Sequence, residues 1–178
     1  MKRLNKAGFT LIELLAVITI MGILMMVAIP SESRTIENSR SDTFADNALT
    51  YVNTVRNAVM ADELSCKYDA TGTTVTASAT PNGTYYFVIK TGEQQTKDLM
   101  EKVALSSWGS AAIEGYVVWT KDTNDTTGRT VTEYSVCLKD TGNHGFKTLV
   151  PEKDVSRAKI FTEGAVCSGA SGTACTLK

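Results

Sequence analysis

The sequence predicts an α+β fold: a long N-terminal helix, one half apolar and the other amphipathic, laid against an antiparallel β-sheet. Three observations predict it. Residues 9–29 form an apolar run interrupted by a single charge, Glu13. Phe44, Ala48, Val52, Val55 and Val59 then recur at spacings of three and four, the period of a helix with one buried stripe. Beyond Cys66 the pattern becomes short runs rich in threonine, tyrosine, phenylalanine and β-branched residues, as strands require.

Taken in order, the apolar run comes first. As a helix at 1.5 Å per residue, residues 9–29 reach roughly 31 Å, the hydrocarbon thickness of a bilayer. Residues 1–8 carry Lys2, Arg3 and Lys6 and no acid. A basic start before an apolar run suggests a secretory signal peptide, yet no small-x-small cleavage site follows and Pro30 lies where one would be sought. A plain transmembrane anchor fits the length but leaves Glu13 unexplained, because a carboxylate at the membrane centre costs on the order of 3 kcal/mol on insertion scales. Either Glu13 snorkels to the headgroups, or it meets a cation of a neighbouring helix.

After Pro30 the polar residues 31–41 lead into the amphipathic half, which is expected to stop near Ser65. Leu49, Met60 and Leu64 flank its stripe. Residues 73–79 and 84–90 read as a hairpin about Pro81, Asn82 and Gly83. Residues 94–105 have helical spacing at Leu99 and Val103. Residues 116–120 and 130–138 read as two strands joined by the polar turn 121–129. From Thr141 the chain is rich in loops, with short strands expected near 148–150 and 158–161.

With 178 residues and a formal net charge of −1, the chain holds one domain besides the apolar segment. Without the basic leader the remainder is acidic, which argues against nucleic acid as a partner. The four cysteines, Cys66, Cys137, Cys167 and Cys175, are even in number and follow a membrane-targeting segment, which favours two disulfides in an oxidising space. Three pairings are open to four cysteines. The short loop before Cys175 favours Cys167–Cys175, leaving Cys66–Cys137. No C-x-x-C spacing exists and one histidine cannot complete a usual zinc set, so no metal and no cofactor is expected.

Other tempting sites have plainer readings. Asp122, Asn124, Asp125 and Gly128 gather oxygen ligands, but Thr126 takes the fifth position of an EF-hand and the glycine comes one place late. A solvated hairpin turn is the expectation there. His144, the single histidine, has no activated partner in any catalytic pattern and reads as a loop residue. Trp108, Trp119, Tyr85, Tyr86 and Tyr116 offer an aromatic surface for ligands, but the plainer reading is a sheet–helix core in which strand alternation buries about half of them. The sequence offers no convergent catalytic set, so no enzyme is expected.

Gly8, Phe9, Thr10, Leu11, Ile12, Glu13, Leu14 and Leu15, after a short basic leader and before a long apolar run, closely resemble the class III signal of type IV pilins and type II secretion pseudopilins. Gly22 and Pro30 inside the run add to the resemblance, which covers about thirty residues. It implies an α+β fold with a pilin-like head on the helix. It implies cleavage by a prepilin peptidase after Gly8, methylation of the new N-terminal Phe9, and a role for Glu13 in assembly register. The ammonium of one subunit's Phe9 would then meet the Glu13 carboxylate of its neighbour.

Pro30 lacks the N–H that would bond the Met26 carbonyl, and Gly22 costs ~1 kcal/mol of helix propensity against alanine. In this family the assembled helix is locally extended there, and the same is expected here. The implied organisation is a cleaved leader over residues 1–8, a transmembrane and filament-core helix over 9–30, and an amphipathic helix with a globular head over 31–178. The implied function is a structural subunit of a type IV pilus, the alternatives being a pseudopilin of a secretion or competence system or a minor tip pilin. Its partners would be further copies of itself in a helical filament, the peptidase, the assembly machinery and, before assembly, the cytoplasmic membrane. Its final place would be an extracellular filament.

Overall fold

In the computed structural model the described residues are 9–67, 73–99, 106–109, 112–123, 130–167 and 170–178. The chain divides into two compact units, residues 1–39 and 40–178. Helix α1, Leu11–Met60, is the first element. In the N-terminal unit its apolar side chains from Leu11 to Met26 are exposed. Among the described residues no helix is long and apolar enough to cross a membrane.

The C-terminal unit packs the rest of α1 on a mostly antiparallel sheet. Phe44, Ala48, Val52, Val55 and Val59 are all buried, as their spacing predicts, with Tyr51 and Ala58 beside them. The helix ends at Met60 rather than near Ser65. Asp62 takes a left-handed φ of 57°, the Glu63 N–H returns to the Ala58 carbonyl, and the chain leaves as a strand.

Seven strands follow: β1 Leu64–Lys67, β2 Thr74–Thr76, β3 Gly83–Lys90, β4 Ile113–Thr123, β5 Thr130–Asp140, β6 Val150–Pro151 and β7 Thr173–Leu177. Their order in the sheet is β2-β1-β7-β3-β4-β5-β6. The expected β4–β5 hairpin is present, with an unbroken register from Ile113↔Asp140 to Thr123↔Thr130. Of the helix expected over 94–105, α2 occupies Gln94–Leu99 and residues 100–105 lie outside the described set.

Two expected features are corrected. Residues 73–79 and 84–90 do not form a hairpin, since β2 pairs with β1 and β3 pairs with β4 and β7. The strand expected near 158–161 is a single 3-10 turn at Arg157–Lys159, with Phe161 making one isolated bridge to Gly145. A central strand was not legible: β7, read as a loop, lies between β1 and β3 and runs parallel to β3.

The disulfides are also corrected. Cys66 joins Cys175 and Cys137 joins Cys167, in place of Cys167–Cys175 and Cys66–Cys137. Cys66 and Cys175 face each other in the β1–β7 register, with Cα atoms 4.1 Å apart. Cys137 sits on β5, four strands from β1, a separation of roughly 19 Å at the usual inter-strand spacing. A disulfide cannot span that distance.

Candidate functional site

The start of α1 is built from Thr10 and Glu13. Thr10 precedes the first helical residue, and its carbonyl accepts the first helical bond, from Leu14 N at 3.2 Å. The Thr10 backbone N–H donates to Glu13 Oε2 at 2.9 Å, its hydroxyl donates to the same oxygen at 2.8 Å, and Glu13 N–H reaches the Thr10 hydroxyl at 3.3 Å. This is a reciprocal capping box, which satisfies helix N–H groups that otherwise lack partners. The T-x-x-E spacing carries that signal in the sequence, and the reading of Glu13 as an isolated acid overlooked it.

The carboxylate also sits in the first turn, where the helix dipole favours negative charge. Its other oxygen, Oε1, has no hydrogen-bond partner among the described residues. Phe9, one residue ahead of the cap, is 88% exposed. Gly22 lies within α1 with open space where a Cβ would stand. Pro30 lies on the same helix, and Gly8 falls outside the described residues.

A second cluster organises the loop that Cys137–Cys167 closes. Asp140 is fully buried at the end of β5. Its carboxylate accepts from Ser106 Oγ at 2.6 Å and from the backbone N–H groups of Gly142 and His144 at 2.8 and 2.9 Å. His144 Nδ1 lies 2.8 Å from Asp140 Oδ2. Burial opposes ionisation of Asp140, but the bonds from Ser106 and His144, with the imidazole charge, prevail and hold its carboxyl below the usual range. Charge-assisted bonds of this kind make a buried carboxylate tolerable.

The His144 ring stacks on Trp108 at 4.7 Å with planes 3° apart. Trp108 and Phe146 both meet Phe44 of α1, at 5.7 and 6.0 Å. His144 therefore joins a loop-closing network, consistent with its reading as a loop residue. Ser106 bonds the carboxylate rather than the imidazole, so the trio lacks the order of a Ser-His-Asp nucleophile system. Tyr85, Tyr116 and Trp119 are buried in the core as expected, and Trp108 and Tyr86 are partly so. Asp122 and Thr123 are the last residues of β4. Residues 124–128, the remainder of the possible calcium loop, lie outside the described set.

Residues 3–29 match the family model of the prokaryotic N-terminal methylation motif. The chain thus carries the class III prepilin signal of the type IV pilin and pseudopilin family. No curated protein and no solved structure gives a significant match.

Proposed function

We propose that this chain is the structural subunit of a type IV pilus. The leader 1–8 is cut after Gly8 by a prepilin peptidase and Phe9 is methylated. Residues 9–29 lodge in the cytoplasmic membrane as a single span, with the basic leader inside, until the pilus machinery moves the subunit into a filament of identical copies. The observation that carries this reading is the methylation motif over residues 3–29, which overlaps the exposed apolar side chains from Leu11 to Met26. An exposed apolar face of that size demands a lipid or protein partner.

Glu13 sets the register. One of its oxygens is held by Thr10, and Oε1 accepts the Phe9 ammonium of the adjacent subunit, which relieves the cost of both charges in an apolar surrounding. Gly22 and Pro30 let the helix extend locally in the filament. Mass spectrometry of the mature N-terminus tests the reading: a methylated Phe9 start supports it, and retention of residues 1–8 overturns it. The alternative, a secretion pseudopilin, predicts short periplasmic pseudopili and no long surface filaments.

A further inference from the structure

The two disulfides lie on opposite faces of the sheet. Cys175 is level with Cys66 on one side, and with Phe87, Val117 and Val136 across β3, β4 and β5 on the other. Residues level with one another across a sheet share a face. Cys66–Cys175 therefore belongs to the face that buries Phe87, Val117 and Val136. Cys137 follows Val136 along β5 and is level with Tyr116 and Val88, which puts it on the reverse face. Cys167 joins it there.

In chain order the bridges are nested, first cysteine with fourth and second with third. Cys167 and Cys175 are eight residues apart, against separations of 30 and 109 for the native pairs. Loop-closure entropy in the unfolded chain favours Cys167–Cys175 over Cys137–Cys167 by about sevenfold, and over Cys66–Cys175 by about fiftyfold. That bridge does not fit the finished sheet, because β7 holds Cys175 on the face away from Cys167. The strand cannot roll over to meet it: at Gly172 the chain passes so close to Thr84 that a Cβ would overlap the Thr84 carbonyl oxygen. Strand β7 is also what joins β2 and β1 to strands β3 to β6. A chain bridged Cys167–Cys175 therefore keeps its sheet in two parts.

We infer that the Cys167–Cys175 bridge forms first and that the native pairs arise from it by thiol–disulfide exchange, which makes this chain a substrate of a dithiol exchange catalyst. The Cys137 thiolate attacks Cys167 Sγ. The Cys167–Cys175 bond breaks, Cys137–Cys167 forms, and Cys175 leaves as a thiolate. Cys137 is the attacking thiol because it is nearer in the chain to Cys167 than Cys66 is to Cys175. Strand β7 then enters the sheet and brings Cys175 level with Cys66. An external disulfide oxidises that pair, taking up two electrons and two protons and departing as two thiols. The catalyst's thiolate opens the same Cys167–Cys175 bond through a mixed disulfide with Cys167, and Cys137 displaces it unchanged. The inference needs no filament and stands apart from the proposed function.

The test refolds the full chain, reduced and unfolded in urea, into detergent micelles with reduced and oxidised glutathione. Acid-quenched samples are read by non-reducing peptide mapping. A Cys167–Cys175 peptide should rise first and then fall as the two native pairs appear. Protein disulfide isomerase at catalytic concentration should speed that fall at least about tenfold. With Cys137→Ser the fall should be about sevenfold slower than with Cys66→Ser, the ratio set by the loops that the remaining thiols must close. Both variants are read before the sheet is complete, so neither has to reach the native fold. Native pairs that form with no earlier Cys167–Cys175 peptide overturn the inference, as does a fall that the isomerase leaves unchanged. Equal rates in the two variants overturn the role of Cys137.

Discussion

Asp140 and His144 are bonded twice, once through the His144 backbone N–H and once through Nδ1 at 2.8 Å. The buried carboxylate thereby holds together the Ser106 segment, the loop closed by Cys137–Cys167 and, through Trp108, the Phe44 side chain of α1. Removing that carboxylate orphans several donors at once. Asp140→Ala should destabilise the C-terminal unit by roughly 3 kcal/mol, the cost of leaving buried polar groups unpaired, read as a lower urea midpoint.

The pH dependence has a definite sign. The folded pKa of Asp140 lies below that of an ordinary aspartate, so its contribution is complete above the unfolded pKa and is lost as pH falls through the depressed folded pKa. The melting temperature of the wild type should therefore fall more steeply than that of Asp140→Asn below pH ~4. Parallel curves for the two proteins would remove Asp140 from the account.

The two disulfides should differ in weight. Cys66–Cys175 closes a sequence separation of 109 and Cys137–Cys167 one of 30. In the chain-entropy model these contribute about 4.8 and about 3.6 kcal/mol. The paired serine replacement Cys66→Ser with Cys175→Ser should thus lower stability more than Cys137→Ser with Cys167→Ser. Non-reducing peptide mapping checks the pairing directly, and a Cys167–Cys175 peptide would contradict the fold.

At the helix start, Thr10→Ala removes one side of the capping box and should cost about 1 kcal/mol of local helix stability, visible as faster exchange in the first turn. Glu13→Ala removes the other side and, on the proposed function, the register contact as well. Cleavage should remain largely intact while filament yield collapses. Normal filaments from Glu13→Ala would end the register argument, and loss of filaments from Thr10→Ala alone would transfer the effect to the cap.

Phe44 carries the aromatic contacts to Trp108 and Phe146. Phe44→Ala should cost roughly 3–5 kcal/mol, the range for a fully buried aromatic, with loss of near-ultraviolet dichroism from Trp108. A change below about 1 kcal/mol would mean that the site collapses around the vacancy.

The sequence by itself determined the parts governed by local period and local chemistry. The stripe from Phe44 to Val59, the β4–β5 hairpin and the signal around Phe9 and Glu13 are contained within windows of about ten to thirty residues, and each was legible there. The capping box was equally local, present as T-x-x-E beside the signal. Tertiary structure alone decided which strands meet. β2 turned to β1 instead of β3 because neighbouring strands in the chain need not pair. The short C-terminal run Thr173–Leu177, too polar to declare itself a core strand, entered the middle of the sheet, and in doing so brought Cys175 opposite Cys66. Disulfide partners and the buried Ser106–Asp140 bond are relations between residues distant in sequence. Spacing encodes which face a side chain takes, but only the assembled sheet sets what lies across from it.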